Sequence, residues 1–445
     1  MQGNKIMKNA SWIIACRVAQ SLLSLGVAML TARYLGPAHY GVLNYASSLT
    51  SFAAPLMALG LNQTLVRELI AKPEAEGEIM GTAMLTSAAA ALLCMAGVAG
   101  FTRIANPGET ETTAVCALYS LLLLFQAMDL IRYWFQKNYR SKYCSVAMLA
   151  AYAAASGYRL WLLATGRGIL WFAAAGPMEY LLIAAALVAL YARLGGRRLR
   201  FSLLRAKKLL GASHPYILAG VMVTVFTQTD KIMLKLMLGD EANGCYSAAA
   251  ACASLGSFVF AALIDSMRPA VLESRRAGQK EFERALAGLY SVVIYLSLLV
   301  CLGTTALAGP MVRIVYGEAY LSAVGPLRLV VWHTTFAYLG AVRNVWILAQ
   351  QQQKYLWRVN LCGALGNVAL NALLIPRLGV EGAALASLIT QFFTNVVMGW
   401  ILPPLRENNR ILLQGLSPRL LADTVAQLAG RGGMREEKRT EKQRT

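Results

Sequence analysis

Charge is what this chain has least of. Asp, Glu, Lys and Arg together make up 14% of its 445 residues, where a soluble domain carries about a quarter. Acidic residues are the scarcer sign, 22 against 42 basic ones. The motifs of soluble chemistry are missing too. There is no GxxxxGK[ST] phosphate loop, which excludes a built-in ATPase of that type, and there is no HExxH, GxSxG or metal-ligand cluster. His39, His214 and His333 lie far apart. The eight cysteines form no CxxC pair and sit mostly in apolar runs, a pattern of packing rather than of disulfide or metal chemistry. No cleavable signal peptide is read. Lys5 and Lys8 lead instead into a long run from about Ala10 to Tyr34 that reads as a signal anchor. No loop is long enough for a soluble catalytic domain, so no enzyme and no cofactor is expected.

What is present is hydrophobic sequence, 57% of all residues. A bilayer crossing takes roughly 20 apolar residues in helical form, and such stretches recur along almost the whole chain. They are too continuous for the alternating strands of an outer-membrane barrel, and in hydrocarbon every backbone polar group must be paired internally. The expected fold is therefore an all-α membrane protein. Twelve spans are read, near 10–34, 41–66, 79–101, 113–135, 143–165, 169–192, 211–237, 244–267, 286–308, 323–349, 355–375 and 380–402.

The basic residues assign sides. The amino terminus, the even-numbered loops and the tail hold 29 of the 42, while the odd-numbered loops hold Arg103, Arg167, Arg313 and Arg377, with Arg33 at the very end of span 1. Lys and Arg gather on the cytoplasmic side, so both termini are expected in the cytoplasm, and the net charge of +20 needs no nucleic-acid partner. Arg193 to Lys208 carries seven basic residues and divides the spans six and six. The expected organisation is an amino-terminal six-helix lobe (1–192), a basic cytoplasmic linker (193–210), a second six-helix lobe (211–402) and a cytoplasmic tail (403–445). In the tail, 411–429 reads as a surface helix and the charged stretch from Gly430 to Thr445 as disordered.

The halves repeat a motif. Leu35-Gly36, Gly41 and a following Tyr45 have counterparts in Leu238-Gly239, Gly244 and a following Tyr246, with the glycines offset by 203 residues. Both sets fall in the turn between the first two spans of a half, where paired glycines suit a tight helix-turn-helix.

Polar residues inside spans are costly and face a bundle interior or a cavity. Several share a helical face: Arg17, Gln20, Ser21, Ser24 and Thr31 in span 1; Thr224, Thr227, Gln228, Lys231 and Lys235 in span 7; Arg328, Trp332, Thr335 and Arg343 in span 10; Asn360, Asn367 and Asn371 in span 11; Ser387, Gln391, Thr394 and Asn395 in span 12. The Asn and Ser positions read as interhelical glue. Arg17 and Lys231, deep in their spans, read as facing a water-filled cavity, while Lys235 and Arg328 near span ends suit snorkelling. The acidic residues in spans are Asp129, Glu179, Asp230 and Asp265. Asp129 and Asp265, near span ends, read as solvated. Asp230 adjoins Lys231, but neighbours on a helix do not face each other, so its partner must come from another helix. Lys231 paired with Asp265 is the alternative to substrate contact.

Six ordered stretches carry a family resemblance: Ala32-Arg33-Tyr34-Leu35-Gly36-Pro37; Val66-Arg67-Glu68-Leu69; Phe135-Gln136 with Ser141-Lys142-Tyr143; Thr229-Asp230-Lys231-Ile232-Met233-Leu234 running to Leu238-Gly239-Asp240-Glu241; Tyr316-Gly317-Glu318-Ala319-Tyr320; and Asn371-Ala372-Leu373-Leu374-Ile375-Pro376. Together the chain resembles the polysaccharide flippases, the O-antigen and teichuronic-type exporters of the MATE-like superfamily. The resemblance implies two six-helix lobes around a central portal lined by spans 1, 2, 7 and 8 that opens alternately to either side. It implies a multi-pass protein of the cytoplasmic membrane whose substrate is an undecaprenyl-pyrophosphate-linked oligosaccharide. Membrane lipids would be further partners, with a polysaccharide polymerase and glycosyltransferases of the same pathway. Arg17, Gln20, Gln228, Lys231, Lys235 and Arg343 would line the portal toward the pyrophosphate, with Asp230 and Asp265 as coupling carboxylates. A cation-coupled multidrug exporter, which wants carboxylates in its portal, and a lipid II-type flippase, whose extra spans this chain lacks, are the alternatives.

Overall fold

The computed structural model describes residues 2–428, the side chains of 2–19, 21, 22 and 428 excepted. The described residues are helical, in order α1 (Gln2–Ala58), α2 (Leu61–Ala71), α3 (Glu76–Ala105), α4 (Thr110–Ser120), α5 (Leu122–Met128), α6 (Arg132–Lys137), α7 (Ser141–Thr165), α8 (Ile169–Arg193), α9 (Leu203–Leu238), α10 (Asp240–Ala253), α11 (Ser257–Ala277), α12 (Gln279–Tyr316), α13 (Val324–Ala349), α14 (Leu356–Leu378), α15 (Val380–Phe392), α16 (Met398–Ile401), α17 (Arg406–Gln414) and α18 (Pro418–Leu428). Among the described residues nine helices are long and apolar enough to cross a membrane, ten if α10 and α11 cross as one interrupted span. Helix α13 is long enough at 26 residues, but Arg328, His333 and Arg343 dilute its apolar character.

Breaks fall where the backbone demands them. Helix α1 is two helices joined at Gly36, whose φ of 70° and ψ of 172° belong to glycine alone. Gly239, between α9 and α10, repeats that conformation with φ 94° and ψ −174°. Pro37 follows the first break and Asp240 the second, each opening the next helix.

The chain forms two compact units. Unit 1 comprises Met1–Ala248, Val315–Tyr320 and Asn371–Val380, and unit 2 the remaining segments. Unit 1 has one cluster around Leu61, Ile79, Phe135 and Leu187 and another around Tyr45, Val115, Leu123 and Ala173. In a bilayer, close packing rather than water exclusion holds helices together, and small residues permit it. Gly176 of α8 shows this: a Cβ there would stand 3.3 Å from the Tyr119 ring of α4.

The stretch expected as a basic linker is fastened down within unit 1. Gly77 and Gly81, four apart on α3, make room for the backbone of Arg198 and Arg200. Arg200 donates its N–H to the Gly77 carbonyl at 3.1 Å, Arg197 donates to the Glu74 carbonyl at 2.6 Å, and Tyr191 donates to the Arg197 carbonyl at 2.7 Å.

Unit 2 packs around Phe260, Phe282, Tyr290, Val342 and Trp346. A π-helical turn, Phe393–Val397, interrupts its last long helix. Beyond it the expected single surface helix over 411–429 is two helices, α17 and α18, separated at Gly415. Helix α17 buries polar residues: Tyr290 donates to Asn408 Oδ1 at 2.9 Å and Asn409 donates to the Val396 carbonyl at 2.7 Å. The tail from Gly430 lies outside the described residues.

Candidate functional site

Helix α9 carries three of the candidate residues. Gln228, Lys231 and Lys235 recur at three and four residues, which puts them on one face. Gln228 and Lys231 are half-buried. Among the described residues Lys231 makes no hydrogen bond or ion pair. Arg17, the other cation read as deep in its span, lies outside the residues whose side chains are described, and Gln20 is half-buried.

Lys235 does not snorkel. It is 4% exposed, and its ammonium sits 2.7 Å from Glu109 Oε2 and 2.6 Å from Asp240 Oδ2. Thr112 also donates to Glu109, at 2.7 Å. Burial works against the Glu109 charge, but Lys235 and the Thr112 hydroxyl outweigh it and hold this carboxyl below its ordinary value. Glu109 escapes a search of the spans because it stands in the loop after Asn106-Pro107-Gly108. The acidic residues that answer a buried cation at a span end lie just outside the span.

Asp230 faces away from Lys231, as neighbours on a helix must. Its Oδ2 accepts from Tyr246 of α10 and its Oδ1 from Asn371 of α14, both at 2.6 Å. The partners come from other helices, as spacing required. Two of the resembling stretches thus meet in space, 229–234 and 371–376. Two others meet where Tyr320 donates to the Ala32 carbonyl at 2.7 Å.

Three expectations need correction. The Asp265 side chain is 63% exposed, as its solvated reading expects, but it pairs with Arg268 one turn on, at 2.9 Å, so it is not spare for Lys231. Asp129 is not simply solvated: it is 6% exposed and paired with Arg132 at 3.0 Å. Arg343 is buried in unit 2 and donates to the Thr394 carbonyl at 2.7 Å, a carbonyl of the π-helical turn. Glu179 pairs with Arg159 of α7 at 3.3 Å.

Beside Gly239, α9 and α10 meet the turn of α1 backbone to backbone. A Cβ on Gly41 would overlap the Asp240 carbonyl, and one on Gly244 the Pro37 carbonyl. Asn243 seals the contact by donating to the Gly41 carbonyl at 2.8 Å. Under the 203-residue offset Pro37 maps onto Asp240 and Gly41 onto Gly244, so the contact is reciprocal. Further along α9, Thr229 and Ile232 border an apolar cavity of about 520 Å³ with Leu49, Phe52 and Phe101.

A family model described as "Polysaccharide biosynthesis protein" matches residues 6–274. No curated protein matches the chain by sequence. Solved structures resemble it in fold. The lipid II flippase MurJ, in an inward closed conformation, aligns with a TM-score of 0.73 at 14% identity, covering 91% of this chain and 90% of that one. A multidrug resistance MATE family transporter of the MOP superfamily, inward-facing, gives 0.63 at 14% identity over 90% and 96%. The eukaryotic MATE transporter AtDTX14 gives 0.61 at 14% identity over 93% and 98%.

Proposed function

The chain belongs to the polysaccharide biosynthesis protein family, and from that premise we propose that it flips an undecaprenyl-pyrophosphate-linked oligosaccharide from the inner to the outer leaflet of the cytoplasmic membrane by alternating access. The observation that carries this reading is Lys231, a half-buried cation in an apolar helix with no ion pair among the described residues. A buried charge without a counter-charge is costly, and an anionic substrate supplies one. The polyprenyl tail stays in lipid, so only pyrophosphate and sugar need a polar path.

In this proposal the chain crosses the membrane twelve times in two six-helix lobes, with both termini cytoplasmic. Arg17 and Gln20 receive the pyrophosphate, Lys231 and Gln228 hold it further along, and Lys235 meets it only after release from Glu109 and Asp240. Arg343 braces the π-helical turn. The reciprocal glycine contact between α1 and α9–α10 is the seam that parts when access alternates. Glycosyltransferases upstream and a polymerase downstream are the partners.

The test is a translocation assay in proteoliposomes with a defined lipid-linked oligosaccharide carrying a fluorescent sugar. Passage to a leaflet where an impermeant quencher reaches it is expected with wild type, and about 10- to 100-fold slower with Lys231→Ala. Equal passage in both, or none in wild type, refutes the reading. The fold likeness to MATE transporters keeps a cation-coupled drug exporter as the second reading, and it predicts dye efflux from the same vesicles instead.

A further inference from the structure

The apolar cavity of about 520 Å³ beside Thr229 and Ile232 lies wholly within unit 1, between α1, α3 and α9. Leu49, Ala53 and Val98 are buried in its wall, while Leu56, Leu93 and Phe101 stand exposed around it at 41%, 76% and 43%. The two side chains in its lining that carry a polar hydrogen spend it elsewhere. Thr229 donates to the Val225 carbonyl one turn back on α9, and Cys94 donates to the Ala53 carbonyl at 3.7 Å. The cavity thus offers a guest no free donor.

A hydrocarbon belongs there. An apolar cavity of about 150 Å³ already takes a molecule the size of benzene, and a larger one left empty costs its lining the contacts that packing would give. Water gains nothing in a hollow without polar partners. The shape is more selective still. On α1, Leu49, Ala53 and Leu56 fall at i, i+4 and i+7, and on α3, Leu93, Gly97 and Phe101 fall at i, i+4 and i+8, so each helix presents a stripe that runs large, small, large. A Cβ on Gly97 would meet nothing within 4 Å. A straight acyl chain lies over these two hollows without filling them. A chain with methyl branches at regular intervals, an isoprenoid, fills them.

Helix α9 fixes which end of the guest carries charge. Thr229 and Ile232 alternate along it with Gln228 and Lys231, and at 3.6 residues per turn Ile232 stands about 100° round from Lys231. We propose that this cavity binds the phosphate-proximal isoprene units of a polyprenyl phosphate or pyrophosphate whose anionic head meets Lys231. The site rests on the flippase reading, and it gives the tail a protein partner in place of bulk lipid.

Selectivity here comes from fit alone. In a bilayer both the cavity and its surroundings are apolar, so no water is excluded when the tail enters. The gain is in dispersion contacts, which reward a chain of the right branching and are lost when bulk is placed in the hollow. Lysine alone accepts any anionic lipid. Lysine and cavity together prefer a lipid that is branched as well as charged, which discriminates against the phospholipids of the bilayer itself.

Photolabelling tests the site without measuring transport. A polyprenyl phosphate with a diazirine near its head is added to the purified full chain in phospholipid nanodiscs and irradiated, and the modified residues are mapped by mass spectrometry. Adducts on α1 (49–56) and α3 (93–101) are expected, removed by excess unlabelled polyprenyl phosphate and not by the same excess of an anionic phospholipid. Gly97→Trp fills the hollow without displacing a neighbour and should lower labelling at least about fivefold. Gly157→Trp on α7, where a Cβ also meets open space, adds the same bulk away from the cavity and should label as wild type. The competition needs no variant and decides the matter if Gly97→Trp fails to fold. Phospholipid competing as well as polyprenyl phosphate assigns the cavity to an ordinary acyl chain and overturns the proposal. So does undiminished labelling in Gly97→Trp, or labelling spread evenly over the lipid-facing helices. The two readings fail separately: a labelled cavity in a chain that translocates nothing refutes the flippase alone, and translocation without a labelled cavity refutes the site alone.

Discussion

Gly41 and Gly244 pack reciprocally: each leaves no room for a Cβ against the backbone carbonyl of the residue four positions before the other, Asp240 and Pro37. Valine at either position forces the two turns apart, and overpacking of this kind costs about 1–3 kcal/mol. If the contact is the seam of the transport cycle, Gly41→Val and Gly244→Val trap the parted state. Cys245, buried beside Gly244 at 2% exposure, reports on it. An impermeant maleimide, read by mass spectrometry, is expected to leave Cys245 unmodified in wild type and to label it in Gly41→Val. Protection in both means that the seam does not part.

The clamp at Lys235 predicts a pH dependence. The Glu109 carboxyl lies below its ordinary value in the folded protein, so its contribution is complete above that ordinary value, about 4.3. It fades as pH falls through the lower folded value. Glu109→Gln should therefore unfold at lower temperature than wild type near neutrality, and the gap should close below about pH 4. Thermal unfolding of both proteins across this range is the measurement. A gap that persists into acid would show that Glu109 acts by shape and not by charge.

Much of this was legible because a membrane imposes two simple rules, long apolar runs and costly polar exceptions. The turn at Gly36 and Gly239, the repeat offset, and the need for Asp230 to find partners on other helices all followed from spacing. The pairing of the resembling stretches, 32–37 with 316–320 and 229–234 with 371–376, did not, because order along the chain carries no distance. Sequence misread Lys235 and Asp129 for one reason. Proximity to a span end was taken for access to solvent, whereas Glu109, Asp240 and Arg132 close those positions with counter-charges. The docked course of 197–202 was hidden as well, since a basic stretch reads as solvated unless the glycines on α3 that receive it are noticed.

Lys231 is expected to contact the substrate and not a carboxylate. A charge-assisted hydrogen bond is worth about 1.5–3 kcal/mol, so Lys231→Ala should slow export by about 10- to 100-fold. Lys231→Arg keeps the charge and should be milder. Removing Asp265 as well should not restore export, because Asp265 pairs with Arg268. Export is measured in cells lacking the native copy, with protein level checked by immunoblot. Rescue by the double change Lys231→Ala with Asp265→Ala would assign Lys231 to an ion pair.

Membrane potential is expected to drive the outward step, and its size tells which charges move. A pyrophosphate diester carries about two negative charges, and each is worth about 2.3 kcal/mol per 100 mV. With the interior negative, outward movement of the substrate alone gains about 4–5 kcal/mol per 100 mV, a leaflet ratio on the order of a thousandfold or more. If Lys231 moves with its anion it returns before the next cycle, so over a full cycle the two charges of the substrate alone set the distribution, and a smaller slope means that a coupled ion carries compensating charge. Proteoliposomes with potassium gradients and valinomycin set the potential while ΔpH is clamped, and the steady-state distribution of a labelled substrate is read against voltage. The full two-charge slope is expected for wild type, because the charges of the protein return with the empty carrier. A distribution indifferent to voltage would refute electrogenic export and leave the drive to a coupled cation.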